Sequence, residues 1–189
     1  MQEINNEEQS LLRENSGDHA DLETLASLCR PPLSHRTAVI GVGNRLWGDD
    51  GAGPELLKRF MEEGEGRETP SNSQGKCFFI DAGEFPEDCL IRVIDLNPDV
   101  ILLVDAMDLH AEPGSIALLE SEALPEDLCY STHRLSLRTL LRLWEKNGSK
   151  TFVIGIQPKE VVFKEGLSPE VQMSIDSLAQ ILSRRHWEE

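Results

Sequence analysis

TAVIGVGNRLWGDDGAGP, residues 37–54, joins an apolar run to a helical pattern through a glycine-rich turn. The run at 37–42 predicts a strand, and Leu56, Leu57 and Phe60 recur at helical spacing after Pro54. A glycine-rich turn between a strand and a helix commonly holds a phosphate. This turn contains two adjacent carboxylates, which would repel a phosphate, so another ligand has to be sought for it.

Nucleotide-binding motifs do not fit this turn. The dinucleotide fingerprint G-x-G-x-x-G would continue from Gly41 and Gly43 to a glycine at position 46, which is Leu46, and the next glycine is Gly48. A P-loop would need a G-K-[ST] triplet, and none follows. The motifs G-x-S-x-G of serine hydrolases and H-E-x-x-H of zincins are also absent from the sequence.

Composition and charge disfavour some classes of function for this chain. The chain has 189 residues, enough for one well-buried domain, and a formal net charge of −16. Such acidity disfavours binding to nucleic acid or to anionic membranes, which requires clustered Lys and Arg. A polar, acidic N-terminus and the lack of a long apolar run predict a cytoplasmic chain without membrane insertion.

Four cysteines, Cys29, Cys77, Cys89 and Cys129, form no C-x-x-C pair. Cys77 lies in an apolar strand pattern and Cys89 in a helical one, so both are predicted to be buried, reduced thiols. This cysteine usage agrees with a cytoplasmic location.

The domain organisation is predicted to be a disordered or weakly helical N-terminal extension over residues 1–35 and a single α/β domain over residues 36–189. The extension is polar and has few apolar anchors, although a short helix could begin at Asp21 and end before Pro31.

Strands and helices alternate within the domain. Strands are predicted at 37–42, 77–81, 100–106, 151–156 and, at a sheet edge, near 115–120. Helices are predicted after Pro54, from Pro86, after His133 from about Arg134, and after Ser168-Pro169. This alternation predicts a three-layer α/β fold, in which helices cover both faces of a twisted, mostly parallel five-stranded sheet.

Carboxylates recur where the predicted strands end. The first strand leads into Asp49 and Asp50, the second ends at Asp81, and the third ends at Asp105. Sites in such folds lie outside the carboxyl ends of the strands, so these side chains are expected at one edge. One Asp at a strand end is usually only a turn former, but several together repel one another unless a cation or a proton neutralises them.

His133 precedes a predicted helix and could complete a metal site at this edge. Two carboxylates and one imidazole suit Zn or Ni and leave coordination positions open for water or substrate. The other histidines stand in polar or terminal segments and are predicted to be surface residues: His19, His35, His110 and His186.

At these residues the sequence resembles the [NiFe]-hydrogenase maturation proteases, endopeptidases that trim the C-terminus of a hydrogenase large subunit. The resemblance rests on GVGNRLWGDDGAGP (41–54), IDAGEFPE (80–87), ILLVDAMD (101–108), STHRLSL (131–137) and IGIQPK (154–159). The acidic glycine turn is the most specific of these segments. The GIQP and PGSI segments are most similar to the branch that processes the formate-hydrogenlyase type of large subunit.

The resemblance implies roles for individual residues. Asp50, Asp105 and His133 match the family's metal site and catalytic centre. Asp81 matches a strand-end aspartate linked to substrate recognition. Five residues are expected to support the turn: Gly41, Gly43, Asn44, Gly48 and Asp49. The glycines are expected to let the backbone approach closely and adopt positive φ, and Asp49 is expected to orient Asp50.

The resemblance also implies an activity and a partner. The chain is expected to act as a monomeric, aspartyl-type endopeptidase that cleaves a large-subunit precursor after nickel insertion, as a late step of hydrogenase maturation. The nickel is expected to be carried by the substrate, although other divalent ions should be able to occupy the site in vitro. Either the metal polarises the scissile carbonyl or a water, or the carboxylates dock nickel while an Asp or His activates the water.

Two features depart from the family pattern, and two other function classes stay open. Ala82 stands where many members have Gly, and the N-terminal extension is longer than usual. A nucleotide or small-ligand module would use the glycine turn without needing Asp50. A non-catalytic maturation partner would bind the large subunit without cleaving it.

Overall fold

A computed structural model describes residues 36–62, 76–124 and 136–182 of the chain. The strands are β1 (Arg36–Val42), β2 (Lys76–Gly83), β3 (Val100–Ala106), β4 (Ile116–Glu120) and β5 (Lys150–Ile156). The helices are α1 (Ala52–Glu62), α2 (Leu90–Leu96), α3 (Leu137–Lys146) and α4 (Pro169–Leu182), with short 3-10 turns at Gly48–Gly51, Pro86–Cys89 and Ser121–Ala123.

The strands form one sheet in the order β2-β1-β3-β5-β4. All neighbours are parallel except β4, which pairs antiparallel with β5 at the edge of the sheet. The prediction of a mostly parallel five-stranded sheet with 115–120 at an edge is therefore confirmed. In the parallel register Gly41 lies opposite both Asp81 and Val104, so β1, β2 and β3 end at the same level.

Helices cover both faces of the sheet, because alternate side chains of each buried strand point to opposite sides. On one face, the apolar sides of α1 and α4 pack on residues such as Val39 and Leu102 of the sheet. On the other face, α2 and α3 pack on residues such as Ile40 and Leu103. The predicted apolar faces of α3 and α4 are buried: Leu137, Leu140, Leu141, Trp144, Val171, Ile175, Leu178 and Leu182.

Three helix boundaries differ from the sequence prediction. α2 begins at Leu90 rather than at Pro86, because the 3-10 turn Pro86–Cys89 precedes it. α1 begins at Ala52, two residues before Pro54, because the 3-10 turn Gly48–Gly51 runs directly into the helix. Pro54 still fits, since the first turn of a helix does not use its N–H groups. α3 begins at Leu137 rather than near Arg134, because Ser136 caps it by accepting a hydrogen bond from the Thr139 N–H.

The prediction that Cys77 and Cys89 are buried is wrong, because both side chains are half-buried. Cys77 lies on β2, an edge strand, and Cys89 ends the 3-10 turn before α2. Neither position is fully covered by a helical layer. The proposed extension over 1–35, with its helix from Asp21, lies outside the described residues, as do Cys29 and Cys129. Within the described ranges, every helix is too short or too polar to cross a membrane.

Candidate active site

The acidic turn leaves β1 at Val42 and reaches α1 through two glycines in backbone conformations that disfavour side chains. Gly43 has a φ of +124°, and a Cβ there would lie 1.8 Å from the Asp50 carbonyl oxygen. Gly48 has a φ of +62°. Gly41 has a different reason to be glycine, because a Cβ would lie 2.6 Å from the Gly53 carbonyl oxygen, where β1 and α1 approach closely.

Asn44 and Asp50 hold the turn closed from within. The Asn44 backbone N–H donates to Asp50 Oδ2 at 2.7 Å. The Asn44 side-chain Oδ1 accepts from the Leu46 N–H at 2.9 Å, as expected of a residue that satisfies the backbone of the turn. These bonds place the Asp50 carboxylate against the start of the turn, where it is buried.

Asp50 and Asp105 form a buried pair of carboxylates. Asp105 lies on β3 next to Val104, which is opposite Gly41 in β1, and only 3% of it is exposed. Burial raises the pKa of Asp105 to about 7, with a further contribution from the nearby charge of Asp50 and an opposing one from the Ala106 N–H. A carboxyl group with such a pKa can accept or donate a proton near neutral pH.

The same pair is suited to a cation. Two carboxylates that share a buried site repel each other, and a bound cation would relieve this repulsion as effectively as a proton. Within the described ranges, which do not include residues 125–135, no group of three or more His, Cys, Asp and Glu side chains could hold a metal ion. The predicted third ligand, His133, lies outside the described residues, so the three-residue site stays a prediction.

Asp81 belongs to the same edge but has different surroundings. Its Oδ2 lies 3.3 Å from Arg45 Nη2, and its Oδ1 accepts from the Gly83 N–H at 3.1 Å. Asp81 is exposed, so this ion pair is accessible to solvent. The three strands therefore do bring their aspartates to one edge, but as a buried pair and a separate exposed ion pair.

Arg45 is a residue that sequence reasoning missed. Its guanidinium donates to the Pro54 carbonyl oxygen and lies 3.8 Å from Glu55, in addition to its contact with Asp81. It therefore links the acidic turn, the start of α1 and the end of β2. A single arginine within a turn rich in aspartate was the signal that could have indicated this role.

Asp49 differs from its expected role of orienting Asp50. Its carboxylate is fully buried and accepts three backbone N–H groups from the segment between β5 and α4. Oδ2 accepts from Lys159 at 2.9 Å and from Glu160 at 3.1 Å, and Oδ1 accepts from Ser168 at 2.6 Å. Asp49 thus fixes a neighbouring loop to the acidic turn.

Gln157 was also missed, and it supports the segment that follows Asp105. Its Oε1 accepts from the Leu109 N–H at 2.7 Å and from the Ala111 N–H at 3.4 Å. Gln157 is buried at the end of β5, next in the sheet to β3. It therefore connects the ends of both strands at the site, a contact across about 50 residues that no local pattern would reveal.

Comparison with known proteins agrees with this architecture. Residues 55–185 match the family model HycI, described as hydrogenase maturation protease. The chain is 29% identical to the hydrogenase 3 maturation protease of Escherichia coli, over 76% of this chain and 86% of that protein. It is 34% identical to a putative hydrogenase maturation protease of Methanocaldococcus jannaschii, over 76% of this chain and 92% of that protein.

A solved structure is similar throughout the fold. The [NiFe] hydrogenase maturation protease HycI from Thermococcus kodakarensis superposes with a TM-score of 0.72 at 25% identity, covering 88% of this chain and 99% of that one. On these grounds the chain belongs to the hydrogenase maturation protease family and is a peptidase of that family.

Proposed function

We propose that this chain removes the C-terminal extension of a [NiFe]-hydrogenase large-subunit precursor after nickel has been inserted. The observation that carries the proposal is the buried pair of Asp50 and Asp105 at the carboxyl edge of the sheet. Its relatives are maturation proteases, and one of them is named for hydrogenase 3, in agreement with the formate-hydrogenlyase type predicted from the sequence.

Asp50, Asp105 and His133 are proposed as the groups that meet the nickel of the precursor. Two carboxylate oxygens and an imidazole nitrogen are suitable ligands for a divalent ion of this kind. The nickel belongs to the substrate in this scheme, so the protease would recognise a precursor by whether its metal site is filled. This arrangement explains why the turn contains carboxylates and no phosphate-binding residues.

Two routes to hydrolysis follow from the same residues. In the first, the metal polarises the scissile carbonyl or a bound water, and the aspartates only hold it. In the second, an aspartate or His133 removes a proton from the attacking water and later protonates the leaving amine. The raised pKa of Asp105 suits the second role, because a group that titrates near pH 7 exchanges protons readily at that pH. Both routes make the enzyme an aspartate-dependent endopeptidase.

Mass spectrometry of a nickel-loaded large-subunit precursor, before and after incubation with the chain, tests the proposal. We expect one cleavage near the C-terminus, no cleavage of the nickel-free precursor, and no cleavage by Asp50→Ala, Asp105→Ala or His133→Ala. The matched control is Asp95→Ala, which removes an exposed aspartate on α2 and should cleave at the wild-type rate.

The outcomes separate the alternatives. Binding of the precursor without cleavage would indicate a non-catalytic maturation partner. Treatment of the protease alone with a chelator should leave activity intact if nickel comes with the substrate. Loss of activity on chelation, restored by adding a divalent ion to the protease, would instead indicate a metal that resides in this chain.

The setting of the reaction is also proposed from the sequence. We propose a cytoplasmic location, in agreement with the acidic composition and the cysteine usage, and a monomeric state. Cell fractionation tests the location, and gel filtration combined with light scattering tests the oligomeric state.

A further inference from the structure

Large apolar side chains are exposed mainly around the acidic edge. Leu46 and Trp47 follow β1, Phe85 follows β2, and Val162 and Phe163 follow β5. Among the described residues, only Ile91 and Met173 are comparable exposed hydrophobics outside these loops. Scattered exposed apolar residues need no explanation, but a concentration of them in the loops beside a candidate site does.

Four of these residues lie on two segments that contact each other, the turn after β1 and the loop after β5. We name them the apolar loop patch: Leu46, Trp47, Val162 and Phe163. The rings of Trp47 and Phe163 meet edge to face, with centroids 5.8 Å apart and planes at 74°. Phe163 is nevertheless 74% exposed, and Trp47 43%. The two rings therefore contact each other, and most of Phe163 and a little under half of Trp47 stay exposed to solvent.

The backbone beneath the patch is held in place. Trp47 forms a β-bridge with Lys164, and the Gly48 N–H donates to the Lys164 carbonyl at 2.8 Å. The three hydrogen bonds that Asp49 accepts fix both ends of the same loop. A patch on a fixed backbone loses little conformational entropy when a partner binds, so it is preorganised for docking.

The patch is continuous with the candidate active site. Trp47 lies three residues before Asp50 in the same turn, and the loop that carries Phe163 is bonded to Asp49. A polypeptide whose metal or scissile bond reaches Asp50 therefore approaches the turn that also carries Trp47. The chain is strongly acidic, with a net charge of −16, so general charge attraction would not hold an anionic partner there. Apolar contact is a source of affinity separate from the proposed metal contacts, and Trp is among the residues that most often dominate binding energy.

We propose that the apolar loop patch binds a segment of the hydrogenase large-subunit precursor that carries bulky aliphatic or aromatic side chains beside the cleaved bond. The proposal rests on the proposed function, because it takes the same precursor as partner. It assigns substrate docking to Trp47 and Phe163, and it gives Asp49 a positioning role, in which it holds the loop that presents Phe163.

Precursor binding and precursor cleavage are measured separately to test this. Nickel-loaded precursor is immobilised, and Phe163→Ser, Trp47→Ala and the control Ile91→Ala are titrated against it. Ile91 is 65% exposed, which is similar to Phe163. It lies on α2, on the opposite face of the sheet from α4, so it serves as a control outside the patch. We expect both patch variants to bind at least about tenfold more weakly than wild type, and Ile91→Ala to stay within about twofold.

Circular dichroism and thermal melting verify that the variants are folded, and Phe163→Ser, at a mostly exposed position, leaves the core untouched. Wild-type affinity for folded Phe163→Ser and Trp47→Ala would overturn the docking proposal, as would an equal loss for Ile91→Ala. If the wild-type chain binds the precursor through the patch but does not cleave it, the proposed function fails while the docking proposal stands. If wild type cleaves the precursor and the patch variants bind it normally, the docking proposal fails while the proposed function stands.

Discussion

Replacing Asp49 with Asn should destabilise the fold although it changes only one atom type. The carboxylate accepts three backbone N–H groups through both oxygens. An amide keeps one oxygen and presents an NH2 group in place of the other. If the remaining oxygen accepts from Lys159 and Glu160, the Ser168 N–H faces the NH2 group and loses its acceptor. If the amide is turned the other way, the Lys159 and Glu160 N–H groups lose theirs.

The magnitude follows from this count. A hydrogen bond to a charged group contributes about 1.5–3 kcal/mol, and a buried N–H left without an acceptor costs about 1–3 kcal/mol. Losing one or two such bonds predicts that Asp49→Asn lowers the free energy of unfolding by about 2–4 kcal/mol. A domain with a stability of about 5–15 kcal/mol would remain folded after this loss, so the change can be measured.

Urea denaturation followed by circular dichroism gives the free energy of unfolding for wild type and variant. The control is Lys58→Gln, which removes an exposed ion pair with Glu55 at 3.8 Å and should change stability by less than about 1 kcal/mol. Amide hydrogen exchange gives a local readout, because the Lys159, Glu160 and Ser168 N–H groups should exchange faster in the variant. A loss below about 1 kcal/mol with unchanged exchange at these amides would refute the reasoning.

Three further predictions concern the site and the domain boundary. Because burial and Asp50 raise the pKa of Asp105 from 3.8 to about 7, the folded chain binds this proton more tightly than the unfolded chain, and wild type loses stability as the pH rises through that window. At about 1.4 kcal/mol per pKa unit, Asp105→Asn should be more stable than wild type by a few kcal/mol at about pH 8, and equally stable near pH 4. Urea denaturation measures both values, and equal stabilities of the two proteins at both pH values would contradict this prediction. Asp81→Asn breaks only an exposed ion pair, so it should alter stability by less than about 1 kcal/mol while it slows cleavage or changes the choice between two competing precursors; unchanged kinetics and choice would reduce Asp81 to a turn former. Deletion of residues 1–34 should leave cleavage intact and shift Tm by less than about 2 °C, whereas a large drop would show that these residues contribute to the core.

Local pattern was sufficient for the architecture. The apolar runs, the periodic helices and the alternation of the two predict the mostly parallel sheet, a strand at its edge and the buried faces of α3 and α4, all of which the structure contains. The antiparallel direction of that edge strand was not predicted. These features follow from the spacing of hydrophobic residues, which can be recognised from the few residues that make up each helix or strand. The positions of Asp50, Asp81 and Asp105 at one edge follow from the same rule, since parallel strands end together.

The contacts of those aspartates were decided only by the tertiary structure. Asp49 accepts N–H groups from residues about 110 positions away, and Arg45, which follows β1, reaches Asp81 on the neighbouring strand β2. The raised pKa of Asp105 depends on burial in the folded domain and on the charge of Asp50, which lies in the 3-10 turn that follows β1. Spacing along the chain contains no information on which of several adjacent carboxylates points inward, toward a loop or toward solvent, because that choice is made by packing between distant segments. The sequence by itself therefore determined where the acidic side chains meet, and the folded chain divided them into a buried pair, a loop anchor and an exposed ion pair.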